Sequence, residues 1–170
     1  MKTRYCVDAN IFISAWYVSY PKSVFPSLWE RLIQLKDDIV LIQPIYDEIE
    51  PFSSADKKIQ AAKKRNKYPL RMWLEENEFV ETPINDQVNF ASLDLEKKYE
   101  TNDISKGAGQ KDITLIAYAK NTGNKVVTFE AKQRQKPDKK CNYKIPLICS
   151  EEDVGCIDFV TMLENLAIRI

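Results

Sequence analysis

The stretch "RYCVDANIFISAWY", residues 4–17, starts as a short apolar strand and then sets Asp8 and Asn10 where apolar residues should continue. The run after them resumes as an apolar helix. A buried strand that passes directly into a helix is the opening unit of a parallel α/β sheet. Asp8 then has two readings. It can cap the helix it precedes. It can also belong to a group of acids collected at the carboxyl edge of the sheet, where open α/β folds place their sites.

Read outward from there, strands and helices alternate. "IFISAWYVS" (11–19) opens a helix, and Pro21 and Pro26 punctuate the segment after it. "PSLWERLIQLKD" (26–37) predicts a second helix, with Leu28, Leu32 and Leu35 at helical spacing. "IVLI" (39–42) is a β-branched strand, and "PIYDEIE" (44–50) is a short helix between Pro44 and Pro51. Residues 55–77 read as two helical pieces broken before Pro69, "FVET" (79–82) as a strand end, and 85–100 as a helix. "KDITLIAYAKNTG" (111–123) predicts a helix ending near Gly123, and "KVVTF" (125–129) a strand. "KIPLICS" (144–150) reads as a last strand, and "CIDFVTMLENLAIR" (156–169) as a closing helix. The lysine-rich segment 131–143 reads as a mobile loop. The expected fold is a three-layer α/β/α sandwich with a mainly parallel central sheet, in one domain spanning 1–170.

Composition narrows the chemistry. The chain has 170 residues, 44% hydrophobic and 29% charged, as expected for a soluble globular protein. No apolar stretch is long enough to span a membrane and no signal-peptide layout is present, so a cytoplasmic protein is expected. There is no histidine, which excludes Ser-His-Asp and Cys-His nucleophile systems and His-rich metal centres. Acid–base and metal chemistry then fall to Asp, Glu, Lys, Tyr and Cys, a set that favours Mg2+ or Mn2+. The four cysteines, Cys6, Cys141, Cys149 and Cys156, form no CxxC pair. They read as free thiols, Cys6 in a strand and Cys156 on a helix, with a disulfide or an all-cysteine metal site as the alternative.

Net charge is zero but unevenly spread. "KKIQAAKKRNK" (57–67), with Lys63, Lys64 and Arg65, and "KQRQKPDKKCNYK" (132–144) are basic. Each is either solvated surface or a phosphate-binding patch.

Four acids fall at positions that a parallel sheet brings to one edge. Asp8 comes just after the first strand. Glu48 borders the buried face that Ile45 and Ile49 define. Asp112 lies on the same side of its helix as Leu115 and Ile116, and Glu130 comes just after the strand "KVVT". Each alone could be a cap or an exposed charge. Together, unpaired, they would repel unless protonated or bound to a cation.

"VDANIFI", "IYDEI", "KDITLIAYAK" and "VVTFE" resemble, in order, the four acidic motifs of PIN domains, across residues 4–130. "YPKSVFPSLWERL" and "KIPLICSEEDVGCIDFVTMLENL" extend a resemblance to one PIN-like group of uncharacterised prokaryotic proteins over nearly the full chain. The chain departs from the commoner pattern in having Glu130 where Asp is usual and Ala9 where Thr or Ser is frequent. The resemblance implies a Mg2+- or Mn2+-dependent ribonuclease, often the toxin of a toxin–antitoxin pair. Asp8, Glu48, Asp112 and Glu130 would hold the metal, and Asn10 and Thr128 would orient the acids or bound waters. Asp103 is an additional loop acid. RNA and a small antitoxin are the implied partners, and the oligomeric state stays open, a homodimer included. A PIN-like module that binds RNA or protein without cutting is the alternative. Haloacid-dehalogenase-like phosphatases want a second Asp where Asn10 stands, and receiver domains want an early acidic pair. "GAGQ" (107–110) lacks the strand and glycines of a nucleotide loop.

Overall fold

The apolar triplet Tyr5–Val7 forms β1, the middle strand of a five-stranded sheet. A computed structural model of the chain describes residues 2–49, 68–102 and 106–169. The other strands are β2 (Ile39–Ile42), β3 (Glu81–Thr82), β4 (Lys125–Val127) and β5 (Cys156–Ile157). Their order is β3-β2-β1-β4-β5 and every pairing is parallel. The chain is therefore an α/β protein with a parallel sheet flanked by helices, as the strand–helix alternation predicts. β1 and β2 are buried along their whole length, which is why they read as unbroken apolar runs.

The helices are α1 (Ala9–Ser14), α2 (Pro26–Gln34), α3 (Gln43–Glu48), α4 (Pro69–Glu76), α5 (Asp86–Tyr99), α6 (Gln110–Thr122), α7 (Ile145–Glu151) and α8 (Phe159–Asn165). A wider π-type turn, Ala15–Ser19, extends α1 and closes with the Tyr20 N–H donating to the Ala15 carbonyl at 2.8 Å. Proline occupies the first turn of α2, α3, α4 and α7, where its missing N–H has no intrahelical partner to lose. Gly123, at φ +68°, ends α6 as expected.

Ring contacts tie Phe12, Trp29, Trp73 and Phe79 into one layer with α1, α2 and α4. On the other side, Ser92 and Thr114 share a hydrogen bond of 2.9 Å between α5 and α6. Right-handed crossovers, the rule for parallel strand pairs, put these two groups of helices on opposite faces.

Two sequence expectations fail at the C-terminal end. Residues 144–150 are not a strand. Ile145, Ile148 and Cys149 share the buried face of α7, and Pro146 sits in its first turn. The last strand is instead β5, so Cys156 lies in a strand and not on a helix. The closing helix begins only at Phe159, because Asp158 caps it by accepting the Thr161 N–H at 2.7 Å. The segment 131–143, read as a mobile loop, is tied down by Gln133, which donates to the Asn142 carbonyl at 3.0 Å and accepts the Lys144 N–H at 2.8 Å. The first of the two helical pieces expected over 55–77 lies outside the described residues. No described helix is long and apolar enough to cross a membrane.

One buried charge knits the second helical layer together. Glu152, just past α7, is 6% exposed and takes Lys98 Nζ at 2.5 Å, Lys120 Nζ at 2.7 Å and the Tyr99 hydroxyl at 2.5 Å. Burial alone would push its carboxyl up, but the hydrogen bonds from Lys120, Lys98 and Tyr99 outweigh it and hold the group at about 2. A depressed acid stabilises the fold above its ordinary value, and that stability is lost as pH falls from 4.5 through about 2. Glu152→Gln is expected to cost about 1–3 kcal/mol at neutral pH, with the deficit closing in that acid window. Urea unfolding at pH 7 and pH 3 measures it, and an equal deficit at both would remove the charge from the account.

Candidate active site

β1 is the point at which the sheet changes direction. β2 and β3 build out on one side of it, and β4 and β5 on the other. The crevice at such a switch point, at the carboxyl ends of the strands, is where open α/β sheets bind ligands. Here it falls between β1 and β4, and Asp8 and Thr128 are the residues immediately past those two strands. The Asp8 N–H continues the ladder, donating to the Val127 carbonyl at 3.0 Å.

Asp8 realises both readings of the opening stretch. One carboxylate oxygen accepts the Asn10 N–H at 3.4 Å and caps α1. The other accepts the Thr128 hydroxyl at 3.1 Å across the switch point. Asp8 is only 3% exposed. Thr128 is equally buried, and its hydroxyl oxygen accepts the Glu130 N–H at 3.1 Å, which fixes the chain where it leaves β4. Thr128 is thus hydrogen-bonded to one of the candidate acids. Asn10 contributes its backbone N–H, while the residue itself is exposed on α1.

The remaining acids approach from neighbouring elements. Asp112 lies in the first turn of α6 and accepts the Gly109 N–H at 2.9 Å. Glu130 accepts the Ile145 N–H at the start of α7, at 2.9 Å. Glu48 ends α3, is partly exposed, and has Lys111 Nζ 3.7 Å away.

Electrostatics shows how closely they gather. Burial lifts the Asp8 carboxyl from 3.8 to about 6; the Thr128 and Asn10 hydrogen bonds pull it back, and the charges of Glu130 and Glu48 add to the rise. Burial lifts Asp112 to about 7, against the Gly109 hydrogen bond, and the charges of Asp8, Glu130 and Glu48 raise it further. The charges of Glu48 and Glu130 thus act on both Asp8 and Asp112. Lys63, Lys64, Arg65 and Asp103 lie outside the described residues.

The donor chemistry, carboxylate oxygen throughout, suits a hard divalent cation such as Mg2+ or Mn2+. Among the described residues, however, no three acid or thiol side chains already converge as a metal cage. The cation paired with these acids, among the described residues, is Lys111, 3.7 Å from Glu48.

Sequence reading missed several neighbours. Lys132, Cys156 and Asp158 line a cavity of about 340 Å³ together with Thr128 and Glu130. They come from two segments, 128–132 and 156–158, which the β4–β5 pairing joins. The "GAGQ" run serves packing and capping. A Cβ on Gly107 would lie 2.2 Å from the Cys141 carbonyl oxygen, so only glycine lets this segment pass under the 140–143 turn and present Gly109 to Asp112.

No curated protein matches the chain. Residues 5–170 match the family model described as a domain of unknown function (DUF4411), and the chain belongs to that family.

Proposed function

We propose that the protein is a Mg2+- or Mn2+-dependent ribonuclease of PIN-like type. The observation that carries this reading is the pair of aspartates at the switch point, buried Asp8 and partly exposed Asp112, each raised by desolvation and by the other acids there. A protein with no function for these carboxylates would bear their repulsion for nothing. The parallel sheet, the order of the acidic motifs and the absence of histidine are compatible with the same reading.

A hard divalent cation held by these oxygens supplies positive charge against the phosphodiester and makes an attacking water more acidic. The chain's own residues set the frame. Thr128 holds Asp8 in one rotamer, and Gly109 does the same for Asp112. Glu48 and Glu130, on the ends of α3 and β4, bring adjustable carboxylates. Lys132 lines the same cavity as Glu130, and the basic segment 132–144 can meet phosphate there; Lys63, Lys64 and Arg65 are proposed as a second RNA contact. The resemblance extends the proposal to a cytoplasmic toxin held by a small antitoxin.

The open spacing of the acids favours one second reading, a PIN-like module that binds RNA or protein without cutting it. Cleavage of single-stranded RNA by the purified protein separates the two. The nuclease cuts in Mg2+ or Mn2+ and is silenced by EDTA. Cleavage that persists in EDTA would end the carboxylate mechanism. RNA binding without cleavage at any metal concentration would favour the module.

A further inference from the structure

Phe129 stands between Thr128 and Glu130, just past β4, and is 38% exposed. The chain on both sides of it is pinned. The Thr128 N–H donates to the Ile157 carbonyl at 3.2 Å, the Glu130 N–H donates to the Thr128 hydroxyl at 3.1 Å, and the Glu130 carboxylate accepts the Ile145 N–H at 2.9 Å. The ring is braced as well. It meets Phe159 edge-to-face with 5.7 Å between centroids, Phe159 meets Tyr20 at 5.7 Å, and Tyr20 meets Phe25 at 5.5 Å. Phe159 is buried, so Phe129 is anchored to the core on one side while much of it stays open to solvent.

An exposed apolar residue by itself is ordinary. This one lies in a concavity and shares it with a cation. Phe129 and Lys132 line the cavity of about 340 Å³, with Pro146 between the carboxylate-bearing residues Glu130 and Asp158 in chain order. Small-ligand pockets run from about 300 to 1,000 Å³, so this one suits a single small planar group with its substituents. A fixed aromatic face beside a positive charge is the pairing that single-stranded nucleic acids meet: a base stacks on the ring and a phosphate meets the cation. Bases inside a duplex are already stacked on their neighbours, so only an unpaired, splayed-out base can offer its face. Glu130 and Asp158 repel phosphate and leave the Lys132 side of the cavity for it.

We propose that this cavity is a subsite for one unpaired nucleotide of single-stranded RNA, its base stacked on Phe129 and its phosphate against Lys132. The inference rests on the RNA-binding part of the ribonuclease reading and says where a nucleotide next to the candidate acids is held. Because the ring is already fixed, little order has to be imposed on binding. Stacking tolerates any base, so the subsite contributes affinity and register and leaves sequence choice to other contacts.

The test measures binding to the full chain by fluorescence anisotropy in EDTA, where no strand is cut. The two labelled ligands are a short single-stranded RNA and an abasic ribose–phosphate chain of equal length. Phe129→Ala and Phe129→Leu should each weaken RNA binding about 5- to 150-fold, the loss of one base–aromatic stack, and leave the abasic chain's Kd unchanged. Leu keeps an apolar side chain against Phe159 should Ala fold poorly. Phe129→Trp should bind RNA at least as tightly as wild type. Lys132→Gln should weaken both ligands alike and reduce the salt slope by about 0.7, the loss of one single-strand phosphate contact. A wild type that binds RNA no more tightly than the abasic chain would overturn the proposal. So would wild-type affinity in Phe129→Leu, or an equal loss on both ligands. None of these results touches metal-dependent cleavage, which the assay with and without EDTA decides separately. RNA that is held through Phe129 but never cut would end the nuclease reading and keep the subsite.

Discussion

Asp8→Asn is expected to lower metal-dependent RNA cleavage at least about 100-fold while leaving the fold intact. The size rests on comparison with the neighbouring position: removing a group that merely orients a metal-binding carboxylate, as Thr128→Val would, typically costs about 10–100-fold. Losing the carboxylate charge itself should cost more. Asn is the informative replacement because it keeps the size and the cap. Its one side-chain oxygen still caps α1, a position where Asn and Asp are equally good, while its amide nitrogen takes the place of the oxygen that accepted the Thr128 hydroxyl and donates to the Thr128 oxygen instead. Asp112→Asn should behave alike, since its Oδ2 contact with the Gly109 N–H survives in the amide. RNA affinity in EDTA should be unchanged or higher, because a negative charge near the phosphate has gone. Single-turnover cleavage, far-ultraviolet circular dichroism and RNA titration of the two variants give the three readings. Wild-type cleavage by Asp8→Asn would move the chemistry elsewhere. A loss of structure would mean that Asp8 acts chiefly as a cap.

The two descriptions of Asp8 that the sequence sets in opposition turn out to be one position. A helix that starts directly after the middle strand puts its N-cap at the switch point, so capping and site geometry coincide. That was legible because β1 is short, fully apolar and joined at once to the helix. Glu48 and Asp112 were legible for a similar reason, since helical spacing from Ile45, Ile49, Leu115 and Ile116 fixes which side they take. The partners of Thr128 and Glu130 were not. Their contacts join residues 120 and 15 positions apart, and no local pattern encodes such pairings. The C-terminal misreading has a different cause. "IPLIC" is an apolar run too short for periodicity to separate strand from helix, and Pro146 was the one signal for a helix start. β5 has two residues, too few to read as a strand at all.

The metal-free protein is expected to lose stability as pH rises from 4 to 7, and a divalent cation should restore it. Asp8 and Asp112 have folded-state values of about 6 and about 7 against 3.8 for the unconstrained carboxyl. Between 3.8 and those values the native state binds more protons than the unfolded chain, so stability falls with rising pH. The penalty is absent below the window and complete above it. The two groups together should cost about 2–4 kcal/mol, after discounting Asp112 for its partial exposure. Glu152 works in the opposite sense, but only below 4.5, so measurements above pH 5 isolate the aspartates. Asp8→Asn should therefore be at least as stable as wild type at neutral pH in EDTA and should flatten the pH dependence. Magnesium at about a hundred times its dissociation constant should stabilise the wild type by roughly 2.7 kcal/mol, and much less in Asp8→Asn and Asp112→Asn. Thermal unfolding of the three proteins, in EDTA from pH 5 to 8 and across a magnesium titration at constant ionic strength, measures these effects. Equal magnesium shifts in the three would show that the carboxylates share no cation. A wild type that gains stability from pH 5 to 7 in EDTA would show that their repulsion is relieved in another way, and would leave Asp8 with the work of a cap.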